Sequence, residues 1–133
     1  MNIAFFLLPK SEIIYLNEKA TLRQALERME YHSYSAVPVV DDEGRYVNTL
    51  TEGDILWKMK NTSGLTFDTA HQFFIRDIER QREIKPVYIN ADMIDLIELS
   101  KVQNFVPVVD DHGVFIGMVR RSEIINYCFD RIK

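Results

Sequence analysis

The feature that most constrains this chain is an internal repeat. Ala36-Val37-Pro38-Val39-Val40-Asp41-Asp42-Glu43-Gly44 recurs as Phe105-Val106-Pro107-Val108-Val109-Asp110-Asp111-His112-Gly113, at a constant offset of 69 residues. A repeat of this kind decides the architecture and is weighed before any single motif. The offset continues downstream, where Tyr46-Val47-Asn48-Thr49-Leu50 stands against Phe115-Ile116-Gly117-Met118-Val119 and Ile55-Leu56 against Ile124-Ile125. Upstream it drifts to 71, matching Leu22, Ala25, Leu26 and Met29 with Met93, Leu96, Ile97 and Ser100. Earlier still, Ile14-Tyr15-Leu16-Asn17 resembles Val87-Tyr88-Ile89-Asn90.

Each copy carries legible periods. Leu22, Ala25, Leu26 and Met29 fall at i, i+3, i+4 and i+7, one face of a helix, with Thr21 or Asn90 where an N-cap belongs. Val37–Val40 and Val106–Val109 are short β-branched runs ended by Asp-Asp-x-Gly, which reads as a buried strand entering a tight turn. A second strand and a helix follow, the helices starting near Glu52 and Ser122. The second shows a stripe of Ile124, Ile125, Cys128, Phe129 and Ile132. The fold class expected is therefore α/β, two β-α-β-β-α repeats packed with pseudo-twofold symmetry. Residues 1–60 form the first repeat with an N-terminal segment, 61–76 a connector with a short helix around Thr69–Phe74, and 77–133 the second repeat. A unit of about 60 residues buries little surface alone, so two copies should share a core and leave a cleft at their junction.

Composition narrows the function. With a net charge of −4 and no Lys/Arg run, bulk binding to nucleic acid is not expected. The apolar segment Ile3–Leu8 lacks a preceding basic residue and stops at Pro9, so it reads as a buried edge of the module and not as a signal peptide, and no run reaches the length of a membrane helix. A single cysteine, Cys128, allows no intramolecular disulfide, which makes a reducing cytoplasm the expected compartment. Asp41-Asp42 and Asp110-Asp111 read as solvated turns. His32, His71 and His112 share no metal-ligand spacing, and Cys128 reads as a structural thiol.

In its order, spacing and duplication of motifs the chain resembles tandem cystathionine-β-synthase (CBS) domains, the Bateman module, in its stand-alone bacterial form. The resemblance runs from about Leu8 to about Tyr127. Its pieces are Thr21-Leu22-Arg23-Gln24-Ala25-Leu26, Tyr34-Ser35-Ala36-Val37-Pro38-Val39-Val40-Asp41 and Tyr46-Val47-Asn48-Thr49-Leu50-Thr51-Glu52-Gly53-Asp54. It implies a regulatory module without enzymatic activity and without a cofactor, which senses an adenine nucleotide (AMP, ADP, ATP or cyclic di-AMP) in the inter-repeat cleft. The module would signal to an unknown protein partner in trans. It further implies a homodimer whose helices after Thr51 and Arg120 pack against their symmetry mates.

By the same resemblance, Thr51 and Asp54 hold the ribose, since a carboxylate at a helix start accepts from both hydroxyls of a diol. Ser35, Ala36 and Pro38 line the base pocket with backbone near Ile14. Thr51 and Asp54 are equally suited to capping the helix that begins at Glu52. The second copy departs from the pattern, with Arg120 for the Thr and Glu123 for the Asp. Its half-site, with Asn104, Val106 and Pro107, would serve phosphate through Arg120 and Arg121, and Arg80, Arg82 and Lys85 would add positive charge. A solvated helix start explains Arg120 and Arg121 as well. The competing function is a constitutive dimeric scaffold with no nucleotide bound; no nucleophile with a base and no Gly-rich phosphate loop points to an enzyme.

Overall fold

A computed structural model describes residues 2–132. Each repeat realises the expected order. In the first, strand β2 (Leu16–Asn17) leads through helix α1 (Leu22–His32) to strands β3 (Ala36–Val40) and β4 (Tyr46–Thr51) and helix α2 (Glu52–Asn61). In the second, β5 (Val87–Tyr88), α3 (Met93–Ser100), β6 (Phe105–Val109), β7 (Phe115–Arg120) and α4 (Arg121–Ile132) repeat it. A further short strand, β1 (Leu8–Pro9), precedes both.

The first repeat is built on a three-stranded sheet in the order β2-β3-β4, with β2 parallel to β3 and Leu16 opposite Val39. A parallel pair needs a crossover, and α1 supplies it. Thr21 caps α1 through a reciprocal box: its hydroxyl accepts from Gln24 N, and the Gln24 side chain accepts from Thr21 N at 2.9 Å. Leu22, Ala25 and Met29 then point into a core with Leu16, Val37, Val39, Leu50 and Ile55. The connecting segment, which stays with this unit through Glu83 and is called the connector to that point, completes this core with Leu65, Ala70, Ile75 and Ile78. In place of one helix around Thr69–Phe74, it forms two 3-10 turns, Ala70–Gln72 and Ile75–Asp77. The reason is tertiary: the Phe73 carbonyl accepts from Leu22 N at 2.8 Å, which holds Phe73 and Phe74 extended between the turns.

The second unit contains the chain up to Ile13, the short piece Gly44–Tyr46 and the chain from Ile84 onward. Its sheet runs β1-β7-β6-β5, with β1 antiparallel to β7 and Leu8 opposite Met118. Ile3 joins Val87, Met93, Leu96, Val106, Val108, Val119 and Ile124 in the core. The N-terminal segment thus edges a sheet, and that sheet belongs to the second repeat. Asp92, and not Asn90, is the N-cap of α3, because Asp95 accepts from Asp92 N at 3.1 Å.

Val-Pro-Val-Val is apolar without alternation because Val37–Val40 and Val106–Val109 are buried throughout. Proline in such a strand costs a ladder hydrogen bond. Here β5 pairs only with Val108 and Val109, so Pro107 has no β5 residue opposite it and needs no N–H on that side. The Asp-Asp-x-Gly turns close as expected: Asp110 Oδ1 accepts from His112 N at 2.8 Å and Val114 N at 2.9 Å, and Gly113 takes φ +83°, open to glycine. These backbone N–H groups, Val114 first, hold the Asp110 carboxyl below the ordinary aspartate range.

Candidate functional site

The two strand-to-helix exits, β4 into α2 and β7 into α4, share a backbone design. Glu52 N donates to the Ser35 carbonyl at 3.0 Å, and Arg121 N donates to the Asn104 carbonyl at 3.0 Å. In each repeat this bond ties the first helical residue to the residue just before the inner strand, so the side chains that follow are aimed by a fixed frame.

At the first exit Thr51 is the N-cap of α2. Its hydroxyl accepts from Asp54 N at 3.2 Å, while Asp54 Oδ2 accepts from Thr51 N at 2.9 Å. The capping geometry, which competes with the ribose role in the sequence, is therefore formed. Asp54 is only 1% exposed. Its other oxygen, Oδ1, accepts from the connector's Gln81 N at 2.7 Å. The neighbouring Arg80 guanidinium donates to the carbonyls of Ile75 and Ile78, at 3.3 and 2.5 Å, and to Asn48 Oδ1 at 2.8 Å. Of the other residues expected here, Pro38 is buried within β3, Ala36 and Ile14 are half-buried, and Ser35 is exposed. Gly53 relieves no crowding: a Cβ there would meet only Thr51 Oγ1, at 3.8 Å.

The second exit is open. Arg120 and Glu123 are exposed and line a cavity of about 220 Å³ together with Phe5, Phe6, Leu7 and Leu8. Arg121 does not join them: its Nε donates to the Gln103 carbonyl at 3.0 Å. Val106 and Pro107 are buried in β6, and Asn104 is exposed. Arg82 and Lys85 are exposed on either side of Glu83 and Ile84.

Two residues that sequence reasoning missed organise these exits. Gln103 is buried, with Oε1 accepting from Lys85 N at 2.8 Å and Nε2 donating to the Lys85 and Phe105 carbonyls. Tyr34 stands at its place in the first copy, so the repeat gives no signal for it. Gln81 acts through its backbone N–H, which no side-chain pattern advertises.

The helices α2 and α4 expose apolar side chains, among them Leu56, Trp57, Ile125, Phe129 and Ile132. Between α1 and α2 lies a cavity of about 560 Å³ lined by Leu26, Met29, Tyr34, Leu56, Met59 and Phe67, with Leu56 58% exposed. On α4 only Ile124 of the expected stripe is buried; Cys128 is half-buried, and Ile125, Phe129 and Ile132 stand exposed. Among the described residues no helix is long and apolar enough to cross a membrane. Asp110, Asp111 and His112 bring ligand atoms within 4.8 Å of one another, but Asp111 and His112 are exposed and Asp110 is committed to its turn.

A profile of the CBS domain matches residues 7–61 and 75–130. A CBS domain-containing protein of Dictyostelium discoideum is 25% identical over 134 residues, covering 95% of this chain and 91% of that protein. Among solved structures, the CbpB protein of Listeria monocytogenes in complex with c-di-AMP superimposes with a TM-score of 0.84 at 19% identity, covering 99% of this chain and 98% of that one. CBSX2 in complex with AMP gives a TM-score of 0.76 at 19% identity, with the same coverage.

Proposed function

Because the chain belongs to the CBS domain family, carrying two copies of the domain, we propose that it is a regulatory module that binds an adenine nucleotide and signals its occupancy to a protein partner in trans. The observation that carries this reading is the second exit. It sets a guanidinium, a carboxylate and two phenylalanines around one cavity, the three chemistries a nucleotide presents for recognition as phosphate, ribose diol and base. A cavity of about 220 Å³ is smaller than the roughly 300–1,000 Å³ of a whole small-molecule pocket, so it suits one nucleoside portion of the ligand. The c-di-AMP complex of CbpB and the AMP complex of CBSX2, both of the same fold, support the adenine class.

In this reading Arg120 takes phosphate and Glu123 the ribose at the second repeat, with Asn104, Val106 and Pro107 supplying the backbone wall. Arg121, turned to the Gln103 carbonyl, positions the start of α4. Thr51 and Asp54, with Ile14, Ser35, Ala36 and Pro38, form the corresponding half-site of the first repeat, and Arg82 adds charge for phosphate. Binding and not catalysis is the output, and the cytoplasm is the compartment in which such a ligand is met. The chain pairs with a second copy through the exposed apolar residues of α2 and α4, chiefly Leu56, Ile125 and Phe129.

Titration calorimetry against AMP, ATP and c-di-AMP tests the ligand. The buried state of Asp54 favours a second reading, a scaffold that binds no nucleotide. A thermal-shift panel separates the two, since a ligand that binds only the folded chain raises its melting temperature. No shift with any adenine nucleotide would count against the nucleotide reading and favour the scaffold.

A further inference from the structure

The two exits differ in what lies on their carboxylates, and the difference has a regulatory meaning. Glu123 faces open space, whereas Asp54 is covered by the connector. We propose that residues 79–83 are an intramolecular occupant of the first half-site: a ligand hydroxyl reaches Asp54 only by displacing the Gln81 N–H from Oδ1. This rests on the adenine-nucleotide reading above and supplies its regulation.

The ligand can replace what it displaces. Gln81 offers the carboxylate one neutral N–H donor at 2.7 Å, and a ribose diol offers two neutral O–H donors. The α2 cap survives the exchange, because Thr51 N is bonded to the other oxygen, Oδ2. The segment that must move is short. Glu79, Gln81, Arg82 and Glu83 are exposed and lie in no helix or strand, while Ile78 and Ile84 at its two ends are buried. What holds it down is Arg80, through Asn48 Oδ1 and the carbonyls of Ile75 and Ile78. Position 48 is where the second repeat has Gly117, and there the incoming segment brings a carbonyl, Leu8 O, in place of a guanidinium. The strap over the carboxylate is thus peculiar to the first repeat.

A site whose competent form is a fraction of the population binds with its intrinsic affinity reduced by that fraction. Loosening the strap therefore tightens binding. The experiment uses the full chain with Gln81→Pro, which removes the donor and leaves Asp54 intact, and Arg80→Ala, which removes the anchor. AMP and adenosine are titrated by calorimetry, and hydrogen exchange is followed by mass spectrometry with and without saturating AMP. The expected result is AMP binding about tenfold tighter in either variant, equivalent to the loss of one charge-assisted hydrogen bond, and faster exchange in 79–83 when AMP is added to the parent. Ligands ordinarily slow exchange where they bind, so the sign is diagnostic. Should Gln81→Pro fail to melt cooperatively, Arg80→Ala carries the comparison. Equal AMP affinity in parent and variants, with 79–83 unchanged or protected by AMP, overturns the strap and leaves nucleotide binding standing. Absence of binding by AMP, ATP and c-di-AMP in parent and variants alike overturns the nucleotide reading and the exchange with it.

Discussion

Replacing Asp54 by alanine removes two interactions at once, and the structure sets the size of the loss. Oδ2 caps α2 by accepting from Thr51 N, and a helix cap of this kind contributes about 1 kcal/mol. Oδ1 accepts from Gln81 N at 2.7 Å, a hydrogen bond to a charged group worth about 1.5–3 kcal/mol. Gln81 is itself exposed, so its freed N–H finds water and the lower figure applies. The expected cost is therefore about 2.5 kcal/mol, and for a chain of this size that lowers the melting temperature by roughly 10 °C. Asp54→Asn keeps one acceptor oxygen and should lose about half as much. Urea denaturation followed by circular dichroism measures both. A loss below about 0.5 kcal/mol for Asp54→Ala would refute the reasoning, because it would mean that neither bond contributes to the folded state.

Gly117→Ala should be among the most damaging single changes: a Cβ there lies 2.3 Å from the Leu8 carbonyl oxygen, so β1 must leave the sheet or β7 must shift, at about 2–3 kcal/mol by urea denaturation. Arg120→Ala should weaken AMP binding about tenfold and adenosine binding little, a gap that narrows with added salt in calorimetry, because only the phosphate contact is charge-assisted and screened. Acid sensitivity follows from Asp110, whose folded-state pKa is depressed by the Val114 N–H. Its contribution is complete above the ordinary aspartate value and is lost as pH falls through the lower folded value, so Asp110→Ala should flatten the acid limb of a melting-temperature profile below about pH 4.

The parts of the fold that depend on local pattern are legible in the residues. Val37–Val40 and Val106–Val109, their Asp-Asp-x-Gly turns and the Thr21 cap all declare themselves, because strand burial, turn chemistry and capping are written within a few positions. The Asn90 cap fails for a local reason: Asp92 and Asp95 form a better pair two residues later. The connector helix fails for a distant one, since Leu22 N takes the Phe73 carbonyl. The candidate site divides in the same way. Thr51 and Asp54 are visible as a motif, yet what lies on Asp54 is a backbone N–H 27 positions away that depends on tertiary structure alone. Arg121 shows the limit of composition, because a guanidinium suited to phosphate is spent on the Gln103 carbonyl.

The pairing of β1 with β7 sets an order of events during synthesis. Leu8 and Pro9 leave the ribosome roughly 110 residues before their partners Met118 and Gly117, and all of the first repeat is made in the interval. Among the described residues the core of the first repeat contains none of β1, so it can close on its connector before β7 exists, while Ile3, Phe6 and Leu7 have no second core to pack against. The sheet of the second repeat is finished only when that segment returns to its edge, which closes a loop of about 110 residues. Until β7 is made, those side chains stay open to a chaperone or a neighbouring chain.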